Sequence, residues 1–163
     1  MREFIEDLKQ TNLFFAIEPE EIDGLLHCLC AKYVRYAKGD YIIEEGNKVY
    51  DFGIILSGHG RAIKWDPSDR VILISLLKKG SEIGVILAAS LEHKSPVTVQ
   101  AEDDVLVLQI PFERVLARCE KACPRHDRLL RNYISIVAKK GLVLHERIAV
   151  SYTHLTLPTT ERV

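Results

Sequence analysis

The sequence predicts a mainly β fold with flanking helices, a double-stranded β-helix or jelly roll followed by one long C-terminal helix. Two observations carry this. Between residues 31 and 110, short β-type runs are separated by turn signals at Gly39, Gly46, Gly58, Gly60, Pro67 and Gly80. After Pro111 the texture turns helical, and beyond Pro124 apolar residues recur at alternating spacings of four and three.

Helical spacing also precedes the β region, over residues 2–10 and 19–29. In the second stretch Pro19, Glu20 and Glu21 make a good first turn, and Ile22, Leu25, Leu26 and Leu29 form an apolar face. The strand candidates are YVRYAKGD, YIIEEGN, FGIILSGHG, RAIKWDPSD, VILISLLKKG, SPVTVQAEDD and VLVLQIP, which imply a roll of about eight strands. FERVLARC then reads as a short helix. Pro124 opens the long one, which runs to about Val150 and spans about 37 Å at ~1.5 Å per residue.

Two stripes run along that helix. Leu129, Tyr133 and Ile136 are placed to pack on the barrel, while Leu130, Ile134, Val137, Gly141, Leu144 and Ile148 form an a/d seam for a second copy of the chain. Gly141 costs about 1 kcal/mol of helix stability against Ala, which makes sense where two backbones approach closely. The last stretch, SYTHLTLPTTERV, breaks the pattern: the seam stops, charge nearly vanishes and Thr becomes frequent. It reads as a non-native, adapter-derived tail and is left out of the expected fold. The expected organisation is residues 1–122 for the roll and its N-terminal helices, 123–150 for the dimerisation helix and 151–163 for the tail.

Composition excludes several classes of function. The 163 residues are 47% hydrophobic and 28% charged with a net charge of −1, so there is no broad basic field to grip nucleic acid. No apolar run reaches the length of a membrane span, and MREFIEDLKQ lacks the plan of a signal peptide. A cytoplasmic protein is expected. No nucleophile–base pair, paired carboxylates or P-loop stands at a working spacing, so an enzyme is not expected.

The most informative short stretch is GSEIGVIL, residues 80–87. Gly80 and Gly84 frame a loop that turns into a helix, a geometry that points bare backbone N–H groups at an anion. Ile83, Val85, Ile86 and Leu87 would line the pocket, and a small organic or aromatic acid would suit it. The competing reading is a packed turn with no ligand. The four cysteines of a chain without a signal peptide are expected as free thiols. Cys119, Cys123 and His126 form C-x3-C-x2-H and Cys28 and Cys30 form C-x-C, donor types that zinc or an iron–sulfur cluster would accept. The spacing is not that of a zinc knuckle and Pro124 interrupts it. No metal is therefore expected, and a thiol- or metal-based redox sensor is the alternative reading.

LFFAIEPEEIDGLL, KGDYIIEEGN, FGIILSGHGRAIK, GSEIGVILAAS and KSPVTVQAEDDVLVLQIP occur in that order and lead into the long helix, an arrangement that covers residues 13–150. In this order the chain resembles the sensor half of the cyclic-AMP receptor protein/Fnr (Crp/Fnr) family of bacterial transcription regulators. The resemblance implies a cyclic-nucleotide-binding-like roll, a small-molecule effector, a homodimer through the long helix, and DNA contact through a winged helix-turn-helix after that helix. It also implies an effector site at Gly80, Glu82, Ile83, Gly84, Val85, Lys94, Ser95, Pro96, Leu144 and His145. Cyclic-nucleotide-binding members carry a ribose-binding glutamate where this chain has Val85. Their phosphate-binding arginine falls where it has Lys94, Ser95 and Pro96, and Leu144 and His145 replace a base-contacting Thr–Ser pair. Cyclic AMP is therefore not the expected effector.

Overall fold

The computed structural model describes residues 2–117 and 123–160. A 3-10 turn at Arg2–Phe4 leads into helix α1 (Ile5–Lys9), and α2 (Pro19–Cys28) follows with Pro19 in its first turn. Eight strands then form the roll: β1 (Lys32–Tyr36), β2 (Tyr41–Ile43), β3 (Asp51–Ser57), β4 (Gly60–Trp65), β5 (Val71–Leu77), β6 (Glu82–Ile83), β7 (Thr98–Ala101) and β8 (Val105–Pro111). A short helix α3 (Val85–Ala89) interrupts them. Helix α4 (Phe112–Leu116) and the long α5 (Pro124–Thr160) complete the chain. The strands make two four-stranded antiparallel sheets, in the orders β1-β8-β3-β6 and β2-β7-β4-β5. This is the expected jelly roll.

Strands β3 and β8 read as near-continuous apolar runs because both of their faces are covered. Phe52, Ile54, Leu108 and Ile110 point to the helices, while Ile55, Val105 and Val107 fill the interior of the roll. At Gly53 an added Cβ would lie 2.6 Å from Val107 Cγ1, so only glycine lets the two strands pack this closely. Strand β5 differs: Val71 to Leu76 are exposed on both of its faces, and it lies at the edge of its sheet. Its hairpin with β4 turns at Asp66, whose carboxylate accepts the backbone N–H groups of Ser68 and Arg70 at 2.8 and 2.9 Å and Arg70 Nε at 2.9 Å.

The inner stripe of α5 docks as its sequence pattern implies. Leu129, Tyr133 and Ile136 are buried with α2 and the outer face of the first sheet, each contributing roughly 1.5–3 kcal/mol by leaving water. The Tyr133 ring meets Phe52 edge-on at 4.8 Å and lies 5.0 Å from Phe112. Asn132, buried beside it, donates to the carbonyls of Leu13 and Phe15 at 2.8 Å each and ties the N-terminal turn to the helix.

One boundary differs from the sequence reading. The helix passes through Gly141 unbroken, as expected, but continues across residues 151–160 instead of ending near Val150. Nothing from Leu142 to Leu157 is a glycine or proline, so no local signal stops it there. Cys119, the first residue of C-x3-C-x2-H, lies outside the described residues. No described helix is long and apolar enough to cross a membrane.

Candidate effector groove beside the long helix

Gly84 sets the direction of the whole glycine-framed cassette. Its φ of +71° is the left-handed turn that reverses the chain between β6 and α3. An added Cβ there would sit 3.2 Å from Val49 Cγ1 and 3.3 Å from the Asp51 carbonyl, so the cassette lies tightly on the loop that enters β3. The residues on either side consequently face different ways. Ile83 points into the roll, Val85 into the layer under the helices, and Glu82 and Ile86 towards α5.

The four apolar residues expected to share one pocket are thus divided. Val85 is 3% exposed and belongs to the core, where its carbonyl accepts the Tyr133 hydroxyl at 2.5 Å. With only five residues, α3 has too few aligned peptides to act as an anion-binding dipole. Ile83 lines a separate cavity of about 380 Å³ at the mouth of the roll, with Tyr41, Lys48 and Gln109.

The larger opening, about 550 Å³, lies outside the roll, between the N-terminal turn, the cassette and α5. Phe15, Ile86, Ile136, Val143 and Leu144 give it apolar walls. Lys139, Lys140 and Arg147 bring cations, and the acid Glu82 lies 3.4 Å from Lys140. Glu82 and Ile86 of the cassette and Leu144 and Arg147 of the helix therefore border one groove within a single chain.

The other expected site residues lie elsewhere. Gly80 holds a turn with a φ of +86°. Lys94 is exposed and pairs with Lys48 in an isolated bridge, and the Pro96 carbonyl accepts Lys64 Nζ at 3.0 Å. Ser95 is 1% exposed, and its hydroxyl donates to the Val97 carbonyl at 2.7 Å. His145 is exposed on α5 and is not among the groove residues.

A family profile described as the cyclic nucleotide-binding domain matches residues 33–122, more than half of the chain. The chain belongs to the cyclic nucleotide-binding domain family. Among curated relatives, the cGMP-dependent protein kinase 2 of Mus musculus is 30% identical over 112 residues, covering 68% of this chain and 14% of the kinase. The chain thus spans a small part of that relative. The fold matches that of the Thermus thermophilus Catabolite Activator Protein, with a TM-score of 0.72, 19% identity and coverage of 87% of this chain and 63% of that one. The sensor domain of the transcriptional regulator DNR from Pseudomonas aeruginosa gives a TM-score of 0.70 at 18% identity, covering 91% and 93% of the two chains.

In this cyclic nucleotide-binding domain the described cysteines Cys28, Cys30 and Cys123 are free thiols. His126 is buried, and its Nε2 donates to the Val115 carbonyl at 3.0 Å, fastening the start of α5 to α4. Cys123 and Cys28 border one small cavity beside it, and Cys30 is exposed. Among the described residues, no three His, Cys, Asp or Glu side chains gather closely enough to hold a metal ion.

The groove cations went unnoticed in the sequence, although one signal was there. The buried stripe of Leu129, Tyr133 and Ile136 continues along the same helix face as Lys140, Leu144 and Arg147, so a core stripe turns basic as it leaves the barrel.

The Tyr133–Val85 hydrogen bond gives a first prediction. Burial holds the Tyr133 phenol well above its ordinary pKa of 10, so its neutral form belongs to the folded state. Its contribution is fully present below pH 10 and is lost as pH rises further, because the unfolded chain ionises first. Tyr133→Phe leaves the Val85 carbonyl without its donor and should cost about 1–2 kcal/mol at neutral pH. It should also flatten the alkaline fall in stability, leaving the smaller part due to Tyr33 and Tyr36, whose phenols burial also raises. Chemical denaturation at neutral pH and at about pH 11 checks both.

Proposed function

We propose that this chain is the effector-sensing, dimerising half of a Crp/Fnr-type transcription regulator, acting in the cytoplasm without catalysis. One observation carries the reading. A single continuous helix is fastened to the cassette on one face and leaves an apolar seam bare on another. The fastening is the Tyr133–Val85 hydrogen bond and the Lys140–Glu82 ion pair. On the bare face Ile134 and Ile148 are exposed, and nothing lies within 4 Å of a Cβ added at Gly141. A second helix fits there, and a small shift of α5 at such a seam would redirect whatever it carries. The described residues hold no helix-turn-helix, so in this reading DNA contact falls to a segment beyond them.

The effector in this reading is a small molecule other than cyclic AMP. Val85 supplies no carboxylate for a ribose, and Ser95 supplies no guanidinium for a phosphate. Calorimetry with cyclic AMP should show no binding in the micromolar range. A micromolar dissociation constant would overturn the assignment of effector class, while dimerisation is tested separately below.

A further inference from the structure

We propose that the groove between the cassette and α5 binds a medium-chain aliphatic carboxylate. The inference rests on the sensor reading and names the effector's chemical class and seat. Its first support is charge. Of the three groove cations, Lys140 alone is in an ion pair among the described residues, and Glu82 is the one acid on the lining. Three positive charges against one negative charge leave the groove with an excess of two, in a chain whose net charge is −1.

The second support is the apolar surface placed among those charges. Phe15, Ile86 and Leu144 are 67%, 44% and 56% exposed and border the same groove. Cations interleaved with half-exposed apolar side chains suit a ligand with one anionic end and an apolar body. Length favours a chain over a compact ring. From Ile136 to Arg147 the groove follows eleven residues of helix, about 16 Å at ~1.5 Å per residue. A polyphosphate would leave the apolar walls uncovered, and a neutral lipid would leave the cations unpaired.

The ligand would also act on the fastening described above. Its carboxylate competes with Glu82 for Lys140, so occupancy would loosen one of the ties between cassette and helix.

Isothermal titration with decanoate below its micellar range tests the proposal on the whole chain. Saturable binding at one site per chain is expected. Decanol and decyltrimethylammonium should bind at least tenfold more weakly. The double variant Lys139→Glu/Arg147→Glu, altered at two exposed helix positions, should also lose at least tenfold while keeping its melting temperature. Three results would each overturn the proposal: no saturable binding, decanol equal to decanoate, or undiminished binding by the double variant. Running the titration on the Ile134→Asp chain separates the remaining occupant. Binding to that variant and not to the parent would give the groove to the second copy, and the proposal would fail. Sedimentation of the parent reports on dimerisation regardless of these results, so the sensor reading and the ligand assignment can fail separately.

Discussion

Ile134→Asp is expected to turn a dimeric chain into a monomer that keeps its folded barrel. Ile134 is 58% exposed in the single chain and takes no part in the core, so an aspartate there costs the monomer little. In a parallel two-helix seam it would place two carboxylates near the two-fold axis, in a site stripped of water. The isoleucine contact, roughly 1.5–3 kcal/mol per side chain, is lost as well. Together these should weaken dimerisation at least a hundredfold, about 2.7 kcal/mol. Val137 sits nearer the middle of the seam but is partly buried against the barrel core, so a charge there would disturb fold and dimer together. Sedimentation velocity should show the parent as a dimer and the variant as a monomer, with circular dichroism unchanged. A variant that stays dimeric places the seam elsewhere on α5, and the proposed signalling route fails with it.

Val85→Glu is expected to cost about 3–5 kcal/mol and to confer no affinity for cyclic AMP. The Crp/Fnr resemblance implies a ribose-binding glutamate at this position, which would make the substitution a repair. The structure places that side chain in the buried cluster that also holds Ile54, Leu56 and Ala88 and contains no cation. A carboxyl there would stay protonated or force the helix layer apart. Adding Ser95→Arg does not help, because Ser95 is 1% exposed and its hydroxyl already closes the turn at Val97. Urea denaturation measures the first effect and calorimetry the second. Unchanged stability together with micromolar affinity would mean that the cassette turns inward in solution, and the placement of Val85 would be wrong.

How much of this was legible in the sequence depends on how local each signal is. The β3 and β8 runs announce strands covered on both faces, and the Leu129–Tyr133–Ile136 stripe announces its own docking, because each pattern repeats within one element. The direction of the cassette was not legible. It depends on one left-handed turn at Gly84, which sends Ile83, Val85 and Ile86 to three different environments within four residues. Nor was the groove, which joins Phe15, Glu82 and Arg147 across long stretches of chain through contacts that no spacing encodes. The end of the helix was misplaced for a different reason: a change of composition past Val150 signalled a boundary, while the backbone received no instruction to stop.

The β4–β5 hairpin keeps its frame by unusual means. A strand normally holds its register because a slip of one residue would throw its buried side chains into water. Strand β5 carries little of that penalty, since Val71 to Leu76 are exposed whichever way they point and only Leu77 is partly buried, and its pairing already shifts between Ala62 and Ile63. The alignment is therefore set largely at the turn, by the Asp66 carboxylate together with the backbone hydrogen bonds from Asp66 N–H to the Arg70 carbonyl and from Asp69 N–H to the Asp66 carbonyl, at 2.9 and 3.0 Å. The backbone N–H of Arg70, above all, holds that carboxylate below its ordinary pKa. The pin is charged and intact at neutral pH and loosens only as acid protonates it. Six exposed residues of strand thus take their alignment from the turn and its one ionised side chain, while their own side chains contribute little to it.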